Sequence, residues 1–276
     1  MHVIFDNAKM LPTGRPLICL ADLLRQIEYP FQEKNPCTQS LLIDPKSDSH
    51  MALVKGLRKI LPFIYRSLEQ NIQILMRYGM NFANAIPIPT SFSFQFAHAG
   101  EILACAYYEE CEDVLIPIYK WRLNTSNNQN QLGMDLIGFK FSQPSPEVYL
   151  IAVKTTVSGE DGKTPSVVYS AINELKTYLS AGKIDDDLEI IAANVDGEVK
   201  KTFLDWYDPY SQGVPIYKPS LIVAPSIVAE EKYWKDEYAL PAMRHDFGVK
   251  AKVKVITVEE IENLVRQVYV EAANGK

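Results

Sequence analysis

Apolar residues recur at helical spacing in the first third of the chain. Leu17–Ile27 and Met51–Leu61 place them three and four positions apart, which predicts two amphipathic helices. The Ile86–Pro89 segment then alternates isoleucine with proline, and proline disfavours helix both at its own position and at the preceding one. The pattern therefore predicts a mainly helical N-terminal region over residues 1–88 and a second region over residues 89–276.

The hydrophobic pattern changes after residue 89. Phe92–Tyr108 keeps helical spacing and predicts a helix. Segments rich in β-branched and aromatic residues follow and predict strands over Val114–Leu123, Met134–Phe141 and Val148–Lys154. Val167–Leu179 has helical spacing again. The predicted order is helix, strand, strand, strand, helix, which indicates an α/β domain.

The last quarter of the chain continues this alternation. Ser220–Val228 and Lys250–Val258 predict strands, and Glu259–Ala272 predicts a helix. Glu259 and Glu260 stand in the first turn of that helix, where the helix dipole favours acidic side chains.

Composition and charge exclude several functions. No apolar run approaches the ~20 residues that a membrane-spanning helix needs, and the N-terminus lacks the pattern of a secretion signal, so we expect a cytoplasmic protein without a membrane partner. The net charge of −6 argues against binding of nucleic acid by the whole surface, so DNA must meet a local patch or be delivered by a partner. Lys55, Arg58 and Lys59 share one face of the second predicted helix and form the candidate patch for nucleic acid or a partner. The alternative is a solvated helix face.

The candidate chemistry lies on two neighbouring predicted strands and the helix before them. Asp135 begins the strand in the string GMDLIGF, Lys154 ends the strand in YLIAVK, and Glu101 follows Gly100 on the helix. These residues resemble the restriction-endonuclease-like, PD-(D/E)xK nuclease superfamily, in which one strand carries an acid and the next carries an acid, any residue and a lysine. The resemblance implies a central mixed sheet flanked by helices.

The resemblance also implies metal-dependent hydrolysis of phosphodiester bonds. Asp135 and the main-chain carbonyl of Val153 would bind Mg²⁺ (or Mn²⁺), and Glu101 would hold a metal-bound water. The metal lowers the pKa of its bound water, and Lys154 would act as the catalytic lysine that orients this water and offsets charge in the transition state. Strand alternation puts residues 152 and 154 on one face, where both would reach one metal.

Position 152 departs from the family pattern, because Ala152 stands where the second acidic metal ligand belongs. Alanine cannot bind a metal, so the chain is expected to be inactive as it stands. Three explanations remain open: the acid was replaced deliberately to silence a toxic nuclease, the chain is a naturally inactive relative, or the acid has moved to Glu147 or Glu174. On the helix after the strands, polar side chains share one face and are candidates to line the site: Ser170, Asn173, Glu174 and Thr177. Asn173 is the candidate contact with nucleic acid or a partner.

Roughly residues 90–200 also carry the motifs of a narrower family, which the rest of the chain resembles in general character. The helical front segment, the Gly100–Glu101 helix, the GMDLIGF strand and the VKTT strand end are similar to the HamA effectors of the Hachiman antiphage system. That resemblance implies a nuclease subunit that acts on DNA beside a helicase-like partner of the HamB type. Two rivals remain: a non-catalytic subunit that binds DNA or a partner through a degenerate nuclease fold, and a helicase-docking module that uses Lys55, Arg58 and Lys59. In a third alternative the two strands are purely structural: Asp135 ends a turn, and Lys154 extends along the sheet surface.

Overall fold

The computed structural model describes most of the chain. The described residues are 10–13, 15–18, 20, 25–26, 39–43, 48–66, 68–78, 88–123, 133–141, 144–157, 163–230, 232, 234–239, 242 and 244–273. The polar segment NTSNNQNQ at residues 124–131 lies outside them.

One mixed sheet forms the centre of the fold. Its strands are β1 (Arg25–Gln26), β2 (Gln39–Ile43), β3 (Leu136–Lys140), β4 (Glu147–Thr156), β5 (Ser220–Glu230), β6 (Lys250–Ala251) and β7 (Lys254–Val258). Their order is β1-β2-β7-β5-β4-β3, and β6 pairs with β5. Neighbouring strands from β2 to β4 are parallel, whereas β3 is antiparallel to β4 and β1 is antiparallel to β2. The central mixed sheet predicted from the family resemblance is therefore confirmed.

Helices cover both faces of the sheet. They are α1 (Asp48–Tyr65), α2 (Leu68–Tyr78), α3 (Phe92–Cys111), α4 (Lys163–Ala181), α5 (Ile184–Asn194), α6 (Gly197–Ser211) and α7 (Ile261–Ala273). Buried residues of α1, α3 and α7 form one apolar cluster with one face of the sheet, and those of α4, α5 and α6 form a second cluster with the other face. A strand between two apolar layers has no solvated face, which explains why β4 is apolar at nearly every position.

Two predicted elements are wrong. Arg25–Gln26, predicted within a helix, forms strand β1 against β2. Val114–Leu123 is not a strand: Leu115 makes one isolated bridge with Phe139, and Lys120–Leu123 is a 3-10 helix. Pro117 lies between these two features and lacks the N–H that a strand ladder requires, so pairing does not continue. Helices α5 and α6 were not predicted.

The segment around Val114 passes directly over the outer strand β3. A Cβ on Gly138 would lie 2.4 Å from Cγ1 of Val114, so only glycine permits this close crossing. Leu115 and Phe139 then exchange both main-chain hydrogen bonds. This crossing fixes the position of the chain a few residues before Lys120. Lys120 itself lies close to the start of β3, next to Asp135.

The N-terminal region is joined to the remainder through the sheet. β2 pairs in parallel with β7 over five residues, and α1 packs on α7. The mainly helical character of residues 1–88 agrees with α1 and α2, while the division into 1–88 and 89–276 stays a prediction.

Candidate active site

Asp135 and Lys154 meet where β3 begins and β4 ends. The antiparallel register pairs Leu136 with Ile151, so Asp135 lies beside the last residues of β4. Its Oδ2 accepts a hydrogen bond of 2.8 Å from the main-chain N–H of Val153 and lies 3.7 Å from Nζ of Lys154. Asp135 is buried. Two residues that are distant in sequence are thus held together by strand register.

Helix α3 carries Glu101 into the same centre. Gly100 lies directly against β4: a Cβ there would be only 1.8 Å from Oγ1 of Thr155. This close approach places the buried carboxylate of Glu101 at the end of the strand. The three residues Glu101, Asp135 and Lys154 therefore surround one small volume, although Glu101 and Asp135 do not touch each other directly in any described contact.

Lys120 connects the two carboxylates, and sequence reasoning missed it. Its Nζ lies 2.7 Å from Oδ1 of Asp135 and 2.9 Å from Oε2 of Glu101. The contact with Asp135 is a hydrogen bond, whereas the contact with Glu101 is ionic and lacks hydrogen-bond alignment. The side chain of Lys120 is only 1% exposed. The available signal was a charged residue inside the apolar string VLIPIYKWRL, because a buried ammonium requires a charged partner.

Glu174, on α4, reaches the centre from the other face of the sheet. Its Oε2 accepts a hydrogen bond from Nζ of Lys154. Glu147 instead lies at the opposite end of β4, where Nζ of Lys250 lies 3.9 Å from its carboxylate. Of the two places to which a missing acid was suggested to have moved, only Glu174 is near Asp135 and Lys154.

Ala152 faces the apolar layer beneath α4. It is fully buried and belongs to the cluster that contains Val168, Ala171 and Ile172. Lys154 leaves the strand on the same face two residues later and meets Glu174 on α4. Residue 152 therefore contributes a methyl group and no ligand. The proposed role of the Val153 carbonyl stays a prediction, since the described contact uses its N–H.

The local charges keep Asp135 ionised. Burial opposes its negative charge, but the ammonium groups of Lys120 and Lys154 prevail and lower the pKa of the carboxyl. Burial likewise opposes the charge of Lys154, yet Asp135 and Glu174 raise its pKa. Burial raises the pKa of Glu101 to about 7, although Lys120 acts against this shift.

His98 lies one turn before Glu101 on α3 and does not join the centre. Its Nδ1 hydrogen-bonds to the hydroxyl of Tyr65 at 2.9 Å, and its ring lies 5.6 Å from that of Trp121. Burial, with a contribution from Lys120, lowers the pKa of His98 to about 4. The ring is therefore a neutral, buried packing element at neutral pH.

An open groove borders the centre on the α4 side. Its volume is about 380 Å³, and its lining includes Gly133, Ser170, Asn173, Glu174, Thr177 and Lys183. The polar face predicted for α4 thus lines one groove, and Glu174 is part of that lining. Contact of Asn173 with nucleic acid or a partner stays a prediction.

The basic face of α1 lies apart from this centre. Lys55 and Lys59 are exposed, while Arg58 donates a hydrogen bond of 2.6 Å to Glu271 on α7. One of the three cations is therefore already paired within the chain. Their contact with DNA or with a partner stays a prediction.

The residues do not fit a divalent metal in this arrangement. Within the described part of the chain, no three histidine, cysteine or acidic side chains are grouped so that they could hold a metal ion. Oδ1 of Asp135 is bound by Lys120, its Oδ2 is bound by the N–H of Val153, and residue 152 offers no oxygen.

Comparison with protein families identifies the chain. It matches the HamA family over residues 31–271, which is most of its length. Comparison with curated proteins gives no match. None of the helices in the described ranges is long and apolar enough to cross a membrane. The chain therefore belongs to the HamA family, and with it to the Hachiman antiphage defence.

Proposed function

We propose that this chain supplies the nuclease-type core of a Hachiman complex. It engages DNA beside a helicase-like partner, and in its present sequence it does not cut phosphodiester bonds. The observation that carries this proposal is the convergence of Glu101, Asp135 and Lys154 at the end of β4, with the methyl group of Ala152 at the place of a carboxylate.

The surroundings of the centre support a nuclease core. Gly100 holds α3 against β4, the register of β3 holds Asp135 beside Lys154, and Glu174 orients the ammonium of Lys154. Lys154 is partly exposed, at 25%, next to the groove. An ammonium at that position is suited to attract a phosphate group of DNA.

Ala152 also supports a second candidate function, a non-catalytic subunit that binds DNA or docks on a helicase. Such a subunit needs no acid at position 152, and an apolar residue buried in an apolar layer is expected there. The two candidates differ in one respect: the first lacks only an acid at position 152, whereas the second would not regain cleavage when that acid is supplied.

A plasmid-nicking assay with Mg²⁺ or Mn²⁺ separates these candidates. We expect no nicking by the unmodified chain and nicking by Ala152→Glu, because the substitution supplies a third carboxylate beside Asp135. Ala152→Gln is the matched control, since it adds the same volume without charge. Adding Lys154→Ala to Ala152→Glu is expected to remove the regained activity by a factor of about 10² or more.

Other outcomes of this assay have clear meanings when circular dichroism shows that the variants are folded. If Ala152→Glu binds DNA but stays as inactive as Ala152→Gln, the non-catalytic subunit replaces the proposed function. If the unmodified chain already nicks DNA and Glu174→Gln abolishes the nicking, Glu174 is the displaced acid and the chain is an active nuclease.

A further inference from the structure

We propose that Lys120 is a resident cation that takes the place of a divalent metal between Glu101 and Asp135. Its ammonium lies within 3 Å of a carboxylate oxygen of each, and both carboxylates come from separate elements, α3 and the start of β3. Two acidic side chains converging on one point normally require a cation between them. Here the chain itself supplies that cation.

The position of Lys120 is fixed by its neighbours. Tyr119, one residue before it, donates its hydroxyl to Glu109 on α3, and Arg122, two residues after it, donates to the carbonyl of Phe63 on α1. The crossing over Gly138 holds the preceding segment against β3. Lys120 is therefore anchored on both sides, unlike a surface lysine that moves aside freely.

The consequence is competition between an ammonium and a metal for the same oxygens. A divalent ion must displace Lys120 from Oδ1 of Asp135 and leave a buried ammonium without its partners, which is costly. With only Glu101 and Asp135 available, the metal gains too few oxygen ligands to offset that cost. A third carboxylate at position 152 shifts the competition towards the metal, which is why Ala152→Glu is the informative change for cleavage.

A buried lysine of this kind is distinguishable from an ordinary structural ion pair. Lys254 provides the comparison within the same chain: it is 6% exposed and donates to Glu112 and to the hydroxyl of Tyr107. Of these two partners, one is a carboxylate and the other is a phenol hydroxyl. Removal of Lys254 should destabilise the fold, but Glu112 and Tyr107 offer a metal one carboxylate between them.

Measurements of metal binding and thermal unfolding test the role of Lys120 without DNA or cleavage. A negative result in these measurements therefore contradicts the role of Lys120 and leaves the proposed function to the nicking assay. We expect Lys120→Met to melt below the unmodified chain in EDTA, because two buried carboxylates lose their counter-ion. Mn²⁺ at about a hundred times its dissociation constant should then raise the melting temperature of Lys120→Met by roughly 5–10 °C. Calorimetry should give one Mn²⁺ per chain for this variant and none for the unmodified chain.

The controls keep the test decisive. Lys254→Met should lose stability without recovering it in Mn²⁺, and adding Glu101→Gln to Lys120→Met should abolish the Mn²⁺ effect. If Lys120→Met is unfolded in EDTA, recovery of folded protein only in Mn²⁺ supports the inference. Equal Mn²⁺ binding by the unmodified chain, or no Mn²⁺ effect on folded Lys120→Met, overturns it.

Discussion

Gly100 determines how far Glu101 reaches into the centre. The α-carbon of Gly100 faces Thr155 on β4, and the space between them does not admit a methyl group. A larger residue must push α3 away from the sheet or force Thr155 out of its rotamer. Either movement shifts the neighbouring Glu101 relative to Asp135 and Lys120.

Substitution of Gly100 by alanine is therefore expected to destabilise the protein by about 1–3 kcal/mol, as overpacking of a buried contact does. Alanine has a higher helix preference than glycine, which by itself would stabilise the protein by up to ~1 kcal/mol. A net loss of stability therefore requires that the clash with Thr155 outweigh this gain. Chemical denaturation measures the change.

The double variant Gly100→Ala/Thr155→Ala removes Oγ1 and Cγ2 of Thr155, which would lie 1.8 and 3.1 Å from the added methyl group. It should be less destabilised than the sum of the two single changes. Additive losses would show that the added methyl group and Thr155 do not interfere.

At the residue scale, sequence reasoning predicted the members of the centre that stand in recognisable strings. Asp135, Lys154 and Glu101 follow from the family pattern, and the structure places them together. Lys120 did not follow, since it lies in a segment that resembles a strand. The carboxylates that Lys120 contacts are determined by the path of its segment across β3. The spacing of residues in the sequence does not predict that path.

At the scale of elements, β5 and α7 are joined by a carboxylate at the strand end. Oε1 and Oε2 of Glu230 accept hydrogen bonds from the main-chain N–H groups of Glu260 and Ile261, at 2.9 and 3.0 Å. Ile261 begins α7 and Glu260 directly precedes it, so no helical carbonyl accepts either N–H. Glu230 thus serves as a helix cap contributed by another element, and its negative charge faces the positive end of the helix dipole.

Replacement of Glu230 by glutamine is expected to cost about 1–2 kcal/mol of unfolding free energy, because one charged acceptor is lost and a donor faces the N–H groups. Glu262→Gln is the matched control. Glu262 lies on the same helix and pairs with Arg266 on the exposed surface, so its loss should cost no more than about 0.5 kcal/mol. Equal effects of the two substitutions would contradict a capping role for Glu230.

The elements that were predicted correctly are those with a single dominant pattern. Helix α3 and strands β4 and β5 are long and apolar, and their predicted positions are confirmed within a few residues. The strand predicted over Val114–Leu123 failed because its apolar residues are buried by packing across β3 and not by pairing along it. Apolar composition predicts that a segment is buried, both in the true strands and in Val114–Leu123. It does not show whether the segment is paired within the sheet or packed across it.

At the scale of the whole molecule, the N-terminal region completes the sheet and one apolar layer. β2 covers the edge of β7, and α1 covers α7. Buried side chains from this region, such as Leu53, Ile60 and Ile64, belong to the cluster shared with α3 and α7. A boundary at residues 88 and 89 would cut through these contacts.

A fragment of residues 89–276 is therefore expected to lose cooperative thermal unfolding, because it exposes the edge of β7 and the apolar side of α7 to water. Adding the separate fragment 1–88 should restore at least part of the transition. A fragment 89–276 that melts as sharply and at the same temperature as the full chain would establish two independent domains.

The crossing of the Val114 segment over β3 has a consequence for assembly. β3 is an outer strand of the sheet, and Leu115 already occupies main-chain groups of Phe139 along it. This pairing obstructs the margin of the sheet at β3 and disfavours recruitment of a strand from another molecule there. A neighbouring subunit that meets this side of the chain is therefore expected to dock on helices and loops, because extension of β3 into an intermolecular sheet is disfavoured.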